Sequence, residues 1–352
     1  MERLRKLLGA NTHLLPAEWQ RHTATWLAWP THREEWGGQL RAVQATFVEL
    51  CYAIVQSTEV LNCPDQLEIL VVDAHGESAA RRALNGLPAR YHHIRYDDIW
   101  LRDIGPLFIH YDSGITAVCP QFNGWGGKFS HSNDAGVGVQ IAAAANVPAV
   151  TVPWVLEGGA IETDGAGTIL TTRHCLLNPN RNPAMDQATT EQRLRKIFGA
   201  KTILWLDSGL VNDHTDSHID TIARFVAPGV VLCMEAKSSE DPNYTILREI
   251  GSQLEQFRDA DNRRLSVVRI PSPGRIQPAF SAVPLPASYL NFYISNHTVV
   301  VPTYQSEYDD QAVAKIASHF PQRNTVAIDA LALLSGGGAI HCITQPQYAS
   351  SR

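Results

Sequence analysis

The residues best suited to chemistry stand near the end of the chain, where Ser335-Gly336-Gly337-Gly338-Ala339-Ile340 leads into His341-Cys342-Ile343-Thr344-Gln345. Successive glycines let a backbone take torsions, and approach a ligand, in ways a Cβ forbids; here they are expected to run into a short apolar strand carrying Cys342. A cysteine attacks as its thiolate, so a nucleophilic Cys342 requires a histidine to move protons and a pocket that holds an electrophile. Asp213-His214-Thr215-Asp216-Ser217-His218-Ile219-Asp220 offers such a histidine. If residues 214–220 are extended, His214, Asp216, His218 and Asp220 share one face. That face reads as a metal-ligand set, as a proton shuttle (His218) with a carboxylate anchor (Asp220), or as a hydrogen-bonded polar turn.

Carboxylates recur elsewhere in apolar company. Asp97-Asp98-Ile99-Trp100-Leu101-Arg102-Asp103-Ile104-Gly105-Pro106 interleaves charged with large apolar side chains, so some charge must lie near the interior and needs a partner. Arg102 and Asp103 read as a structural pair holding the turn at Gly105-Pro106, which leaves Asp98 for a ligand. Phe122-Asn123-Gly124-Trp125-Gly126-Gly127-Lys128 is a glycine-rich aromatic loop without the spacing of a phosphate loop. Gly158-Gly159-Ala160-Ile161, preceded by Glu157, recurs as Gly337-Gly338-Ala339-Ile340, followed by His341 and Cys342. The recurrence suggests one turn-into-strand element used more than once, as in a pseudo-repeat that aims several loops at one centre.

The elements that must position these residues alternate strand and helix. Thr25 to Trp29 reads as an aromatic strand stopped by Pro30, with Trp26, Trp29 and Trp36 as core or pocket wall. Residues 39–57 have helical spacing and Leu67 to Val72 reads as a buried strand. Helices are expected over 134–146, 244–257 and 309–319. Strands are expected over 149–152, 168–172, 203–206, 223–226, 265–270, 298–301 and 325–329. Ala287 to Asn296 reads as a loop bringing Asn and Tyr side chains towards a site, or equally as aromatic core. The class is therefore α/β or α+β.

Composition limits the partners. The 352 residues show no break between halves and are read as a single domain, 1–352, with 44% hydrophobic and 18% charged residues. A net charge of -6 without any Lys/Arg cluster argues against a nucleic-acid surface and suits a small cation. Met1 to Leu8 lacks the apolar core of a secretory signal, and no stretch is apolar enough to span a membrane, so a cytoplasmic location is expected. Cys51, Cys63, Cys119, Cys175, Cys233 and Cys342 form no CxxC pair, which disfavours a structural zinc site or a disulfide framework.

Taken together, Pro16-Ala17-Glu18-Trp19, the Asp98 to Pro106 stretch, Phe122 to Gly127, Leu156 to Gly159, His218-Ile219-Asp220 and Gly336 to Gln345 resemble, in order, the motif series of the agmatine deiminase and bacterial peptidylarginine deiminase family. The resemblance implies an α/β fold of five ββαβ blades in pseudo-symmetric propeller arrangement, the pentein fold. It also implies hydrolysis of a guanidinium group to a ureido group plus ammonia, with no metal and no cofactor. Carried over by motif, Cys342 is the nucleophile, His218 the acid/base and Glu157 a third carboxylate beside the reacting carbon. Asp98 and Asp220 become guanidinium ligands, with Trp100, Trp125, Gly337 and Gly338 at the substrate. A guanidinium is a planar fork of donors that stays charged, and more than one carboxylate in a shared pocket is its natural receptor.

This chain departs from the agmatine deiminases at Asp216-Ser217-His218-Ile219-Asp220-Thr221, where they commonly read Asn-Gly-His-Val-Asp-Asn, and at Ala339, where they carry Asn. Those changes bear on the far end of the substrate. Agmatine ranks first, peptidylarginine second and free arginine lower, Arg224 being the one basic residue considered for its carboxylate. Two rivals stand beside this reading: a noncatalytic binder of polyamines or guanidines, and a metal-dependent hydrolase built on His214, Asp216, His218 and Asp220. The sequence leaves a homo-oligomer open.

Overall fold

The structure, a computed structural model, describes residues 13–32, 34–55, 65–112, 114–277 and 283–350. Cys63 and the Met1 to Leu8 stretch lie outside the described residues.

One unit recurs through the chain. An antiparallel strand pair is followed by a helix and a third strand, and the third pairs parallel to the second. Leu107–Tyr111 and Gly114–Gln121 form the first such pair, then Val137–Ala144 is helical and Ala149–Val155 adds the parallel strand. The same order holds for Ile161–Thr163, Thr168–Thr172, helix Gln187–Phe198 and Thr202–Leu206. It returns in Ala223–Ala227, Val230–Glu235, helix Tyr244–Leu254 and Ser266–Pro271, and in Tyr293–Ile294, Thr298–Thr303, helix Asp309–Ala317 and Asn324–Asp329. The fifth sheet joins both ends of the described chain. Gln345–Tyr348 pairs antiparallel with His22–Ala28, and helix Leu40–Val55 leads to the parallel strands Gln66–Val71 and Ala89–His93.

Local chemistry explains why the units hold. Parallel strands joined by a helix must cover their faces, so these strands are apolar runs: Val231, Leu232, Cys233 and Met234 are all buried. Helix Gln187–Phe198 starts where the Asp186 side chain accepts from Thr189 N and stops at Gly199, whose φ of 68° suits a left-handed cap. The expected helices and strands appear at their places with ends moved by a few residues. Two expectations fail locally. Residues 214–220 form turns rather than a strand, with φ of 64° at Asp216 and 74° at Ser217. Cys342 sits in a turn ahead of strand Gln345–Tyr348, not within a strand. Of the two alternatives for the early tryptophans, core holds for Trp26 and Trp29, while Trp36 packs in the core and also lines a cavity.

The sheets meet at a buried ion network. Glu18 Oε1 accepts from Arg224 Nη2 at 3.0 Å and from Ile294 N at 2.9 Å, while Oε2 lies 2.8 Å from both Arg102 Nη2 and His341 Nε2. Arg224 Nε reaches Glu162 at 3.0 Å, and its guanidinium lies 4.6 Å from the Phe292 ring centroid. Arg224 is fully buried here, so it is a strut and not a receptor for a substrate carboxylate. Arg102 likewise turns to Glu18 rather than to its neighbour Asp103. Buried ions persist only when partnered in this way.

Candidate active site

Cys342 is held at both its backbone and its sulfur by one side chain. Asn291 Oδ1 accepts from His341 N at 3.0 Å and Cys342 N at 3.3 Å, and its Nδ2 donates to Cys342 Sγ at 3.2 Å. The loop before Tyr293–Ile294 does deliver an Asn to the site, while Tyr289 and Tyr293 go to the core. Asp220 Oδ2 lies 3.8 Å from Cys342 Sγ and 2.7 Å from His341 Nδ1. His341 therefore bridges Asp220 to Glu18, and the carboxylate beside the thiol is fixed from the centre of the fold.

His218 stands on the same pocket, lined also by Asp220, Asn291, Tyr304, Gly338 and Cys342. Its Nδ1 lies 3.6 Å from Asp103 Oδ2. Asp103 is aimed by three contacts from distant segments: Gly159 N donates to Oδ1 at 2.9 Å, Trp125 Nε1 donates to Oδ2 at 2.9 Å, and His218 faces it. Trp125 is placed for this by a left-handed turn, with φ of 52° at the tryptophan itself, a conformation that a bulky residue holds only where its surroundings demand it. A Cβ on Gly159 would come within 2.7 Å of His218 Nδ1 and 2.9 Å of Asp103 Oδ1, so the missing side chain is what lets the three segments converge.

Glu157 is wholly buried and accepts from Arg181 Nε at 2.6 Å through Oε1. Arg181 also holds Asp216, which pairs with Lys128 at 2.7 Å as well. The supposed face of His214, Asp216, His218 and Asp220 is thus split: the left-handed residues 216 and 217 turn Asp216 to Arg181 and leave His214 over a second cavity. That cavity, about 320 Å³, adjoins the first through Gly337 and is walled by Trp36, Trp100, Phe129 and Leu285, with Asp98 and His214 among its polar residues. Gly336, Gly337 and Gly338 press against Trp36, His214 and Trp100 respectively. The glycines therefore make room for rings that wall the cavity.

Burial, together with the Asp220 and Asp103 carboxylates, pushes the Cys342 thiol well above its ordinary value. For His218, burial acts against the charged ring, but Asp103, Cys175 and Glu157 overcome it and raise the imidazole well above its usual value. Burial and the neighbouring Asp220 also raise Asp103, partly opposed by His218. For Asp220 burial is outweighed by His341, so its carboxyl is lowered. A pocket of this kind is short of a cation. Asp220 Oδ1, Glu157 Oε2 and His218 Nε2 are buried without hydrogen-bond partners, and buried polar atoms seldom remain so except where a ligand supplies the partner.

Of the residues singled out in the sequence, Cys342, His218 and Asp220 come together, with Glu157 behind His218 and Gly338 on the wall. Trp125 acts on Asp103, and Trp100, Gly337 and Asp98 line the outer cavity. Asp103, Glu18 and Arg181 have places at the site that the motifs do not assign, whereas Asn291 is the Asn that the Ala287 to Asn296 loop delivers. Asp103 had a signal: residues adjacent in a helix do not face each other, so Arg102 and Asp103 needed separate partners.

Known proteins share this fold. An agmatine deiminase of Pseudomonas aeruginosa is 36% identical, with 95% of each chain covered. The solved agmatine deiminase of Enterococcus faecalis superposes with a TM-score of 0.88 at 30% identity, again over 95% of each chain. Dimethylarginine dimethylaminohydrolase, at 11% identity and a TM-score of 0.52 over 92% of this chain and 99% of that one, shares the fold alone. Fold and site define the class, a hydrolytic guanidine-modifying enzyme of α/β architecture. More narrowly, residues 14–347 match the Porphyromonas-type peptidyl-arginine deiminase family, and the chain belongs to it.

Proposed function

We propose that the protein hydrolyses the guanidinium group of a small cation, agmatine first, to N-carbamoylputrescine and ammonia through a covalent adduct on Cys342. The observation that carries this is a half-buried thiol set beside Asp220 in a pocket where Asp220 Oδ1 and His218 Nε2 lack partners. Asp220 and Asp103 hold the guanidinium, and the five sheets act as blades of one domain around it. Asp98, read from the sequence as a guanidinium ligand, takes the tail instead: the walls of the outer cavity suit a methylene chain and its carboxylate a terminal amine. The curated relatives named agmatine deiminase support this choice of substrate.

In the resting pocket the thiol keeps its proton and His218 carries one. The arriving guanidinium offsets the two carboxylates, so Cys342 loses its proton to solvent and its sulfur attacks the guanidinium carbon. His218 protonates one nitrogen, the carbon–nitrogen bond breaks and ammonia leaves. Neutral His218 then takes a proton from water, whose oxygen adds to the thiouronium carbon. The carbon–sulfur bond breaks, the adduct's hydroxyl proton passes to solvent as the ureido product departs, and the freed Cys342 thiolate takes a proton back from solvent.

The test is ammonia and ureido production from agmatine, free arginine and an arginine peptide, with and without chelator. Agmatine is expected to be turned over fastest, and Cys342→Ala to lose at least about a thousandfold in rate. No turnover of any guanidine by the wild type would overturn the reading, and full activity in the alanine variant would remove Cys342 from the mechanism. Faster turnover of the peptide would make peptidylarginine the substrate.

A further inference from the structure

The proposed reaction has no use for a second thiol, yet Cys175 lies fully buried against the acid/base. Glu157, Cys175 and His218 each offer one ligand atom, with no two of these atoms more than 4.8 Å apart. All three residues are at most 1% exposed. Glu157 Oε2 and His218 Nε2 are also two of the buried atoms that lack hydrogen-bond partners. Carboxylate, thiol and imidazole at such spacing are the donor set of a borderline-soft divalent metal, in three-ligand sites that leave one position open.

We propose that Glu157, Cys175 and His218 form an inhibitory site for Zn²⁺. The surrounding contacts suit the role. Asp103 sits behind His218 Nδ1, the carboxylate–histidine arrangement that leaves Nε2 for a metal. Arg181 fixes the other oxygen of Glu157, and Thr172, through its hydroxyl, accepts from Cys175 N at 3.3 Å. Metal–ligand bonds of about 2.0–2.3 Å put tetrahedral ligands about 3.3–3.8 Å apart, so closing on the ion asks for movements of no more than about 1 Å. Binding expels two protons to solvent, from the Cys175 thiol and the His218 imidazolium, and Zn²⁺ with one carboxylate and one thiolate forms a neutral unit suited to burial. The ion arrives by the pocket that His218 shares with Asp220 and Cys342, where the carboxylates draw any cation. Substrate and metal exclude each other as two cations drawn into one pocket, and the metal takes the His218 nitrogen that would serve the leaving group.

The inhibition rests on the guanidine-hydrolase reading, whereas the binding does not, so the test reads each separately. Co²⁺ is added to the metal-free full-length protein, and the near-ultraviolet thiolate-to-cobalt band is followed in wild type, Cys175→Ser and Cys342→Ala. The band is expected in wild type and Cys342→Ala and absent in Cys175→Ser. A band lost in Cys342→Ala and kept in Cys175→Ser would overturn the site, as would no band in the wild type. In parallel, Zn²⁺ is titrated against agmatine turnover by wild type and Cys175→Ser, each compared with its own metal-free rate. Wild type is expected to be inhibited competitively, reversed by EDTA and indifferent to Mg²⁺, with Cys175→Ser needing on the order of tenfold more Zn²⁺ or above. Equal inhibition of Cys175→Ser and wild type, or by Mg²⁺ and Zn²⁺ alike, would overturn the proposal. Should Cys175→Ser fail to fold, Cys175→Ala carries the same comparison.

Discussion

Replacing Asp103 by Asn removes the carboxylate that faces His218 Nδ1 at 3.6 Å, and its effect has a definite sign at two groups. Asp103 is the main influence raising the His218 imidazole against burial, so its loss lowers the pH at which the acid becomes deprotonated. Asp103 also adds to burial and Asp220 in pushing up the Cys342 thiol, so its loss makes the thiolate available at lower pH. In the proposed mechanism the alkaline limb of the profile depends on protonated His218 and the acid limb on the Cys342 thiolate. Both limbs of kcat/KM against pH are therefore expected to move towards acid in Asp103→Asn, on a reduced maximum, measured with EDTA present. A profile that shrinks without moving would leave Asp103 a holder of substrate and loops with no influence on the two titrations. The imidazole–carboxylate pair thus sets a working range as well as a geometry.

The Gly336–Gly338 turn sets the shape of the outer cavity, and Gly337 is its tightest point. Its φ of 105° is unfavourable for any side chain, and a Cβ there would stand 1.8 Å from His214 Cε1. Gly337→Ala is expected to cost about 1–3 kcal/mol of stability, as overpacking does, and to raise KM for agmatine more than it lowers kcat. Adding His214→Ala should recover part of the stability, since it removes the clash and leaves only the backbone strain; a double-mutant cycle in urea measures this. The same turn shows what the sequence could convey. Strand and helix periodicity located most elements, because the covered parallel strands are apolar runs and their helices carry one apolar face. Cys342, His218 and Asp220 were legible because their residue types imply chemistry and their motifs resemble a family. Turn geometry was not: the left-handed residues Asp216 and Ser217 redirect a stretch whose alternation looked extended. Nor could the separate partners of Arg102 and Asp103 be read, since Glu18 lies 84 residues from Arg102 and Gly159 lies 56 from Asp103.

At the scale of the molecule, Glu18 ties together the loops on which the site depends, through Arg102, Arg224, Ile294 and His341. Removing one charge from a buried network strands the others, so Glu18→Gln is expected to lose about 3–5 kcal/mol of stability to urea at neutral pH. Burial would raise the carboxyl, but His341, Arg224 and Arg102 hold it well below 4.5. A depressed folded value contributes stability above the unfolded carboxyl's titration, and this contribution fades as pH falls towards the folded value. The gap between wild type and Glu18→Gln should therefore narrow below about pH 4. A gap unchanged by acid would mean that the variant fails through packing and not through charge.

The pairing of Gln345–Tyr348 with His22–Ala28 gives the chain an order of assembly. During synthesis the early strand waits, one edge bare, until more than three hundred residues have followed it. A contact so distant in sequence forms late, and a waiting edge invites the wrong partner. Cys342 emerges immediately before the strand that closes this gap. A nascent chain can hold the carboxylates and the histidine, but it remains without Cys342 until the fold is about to be sealed.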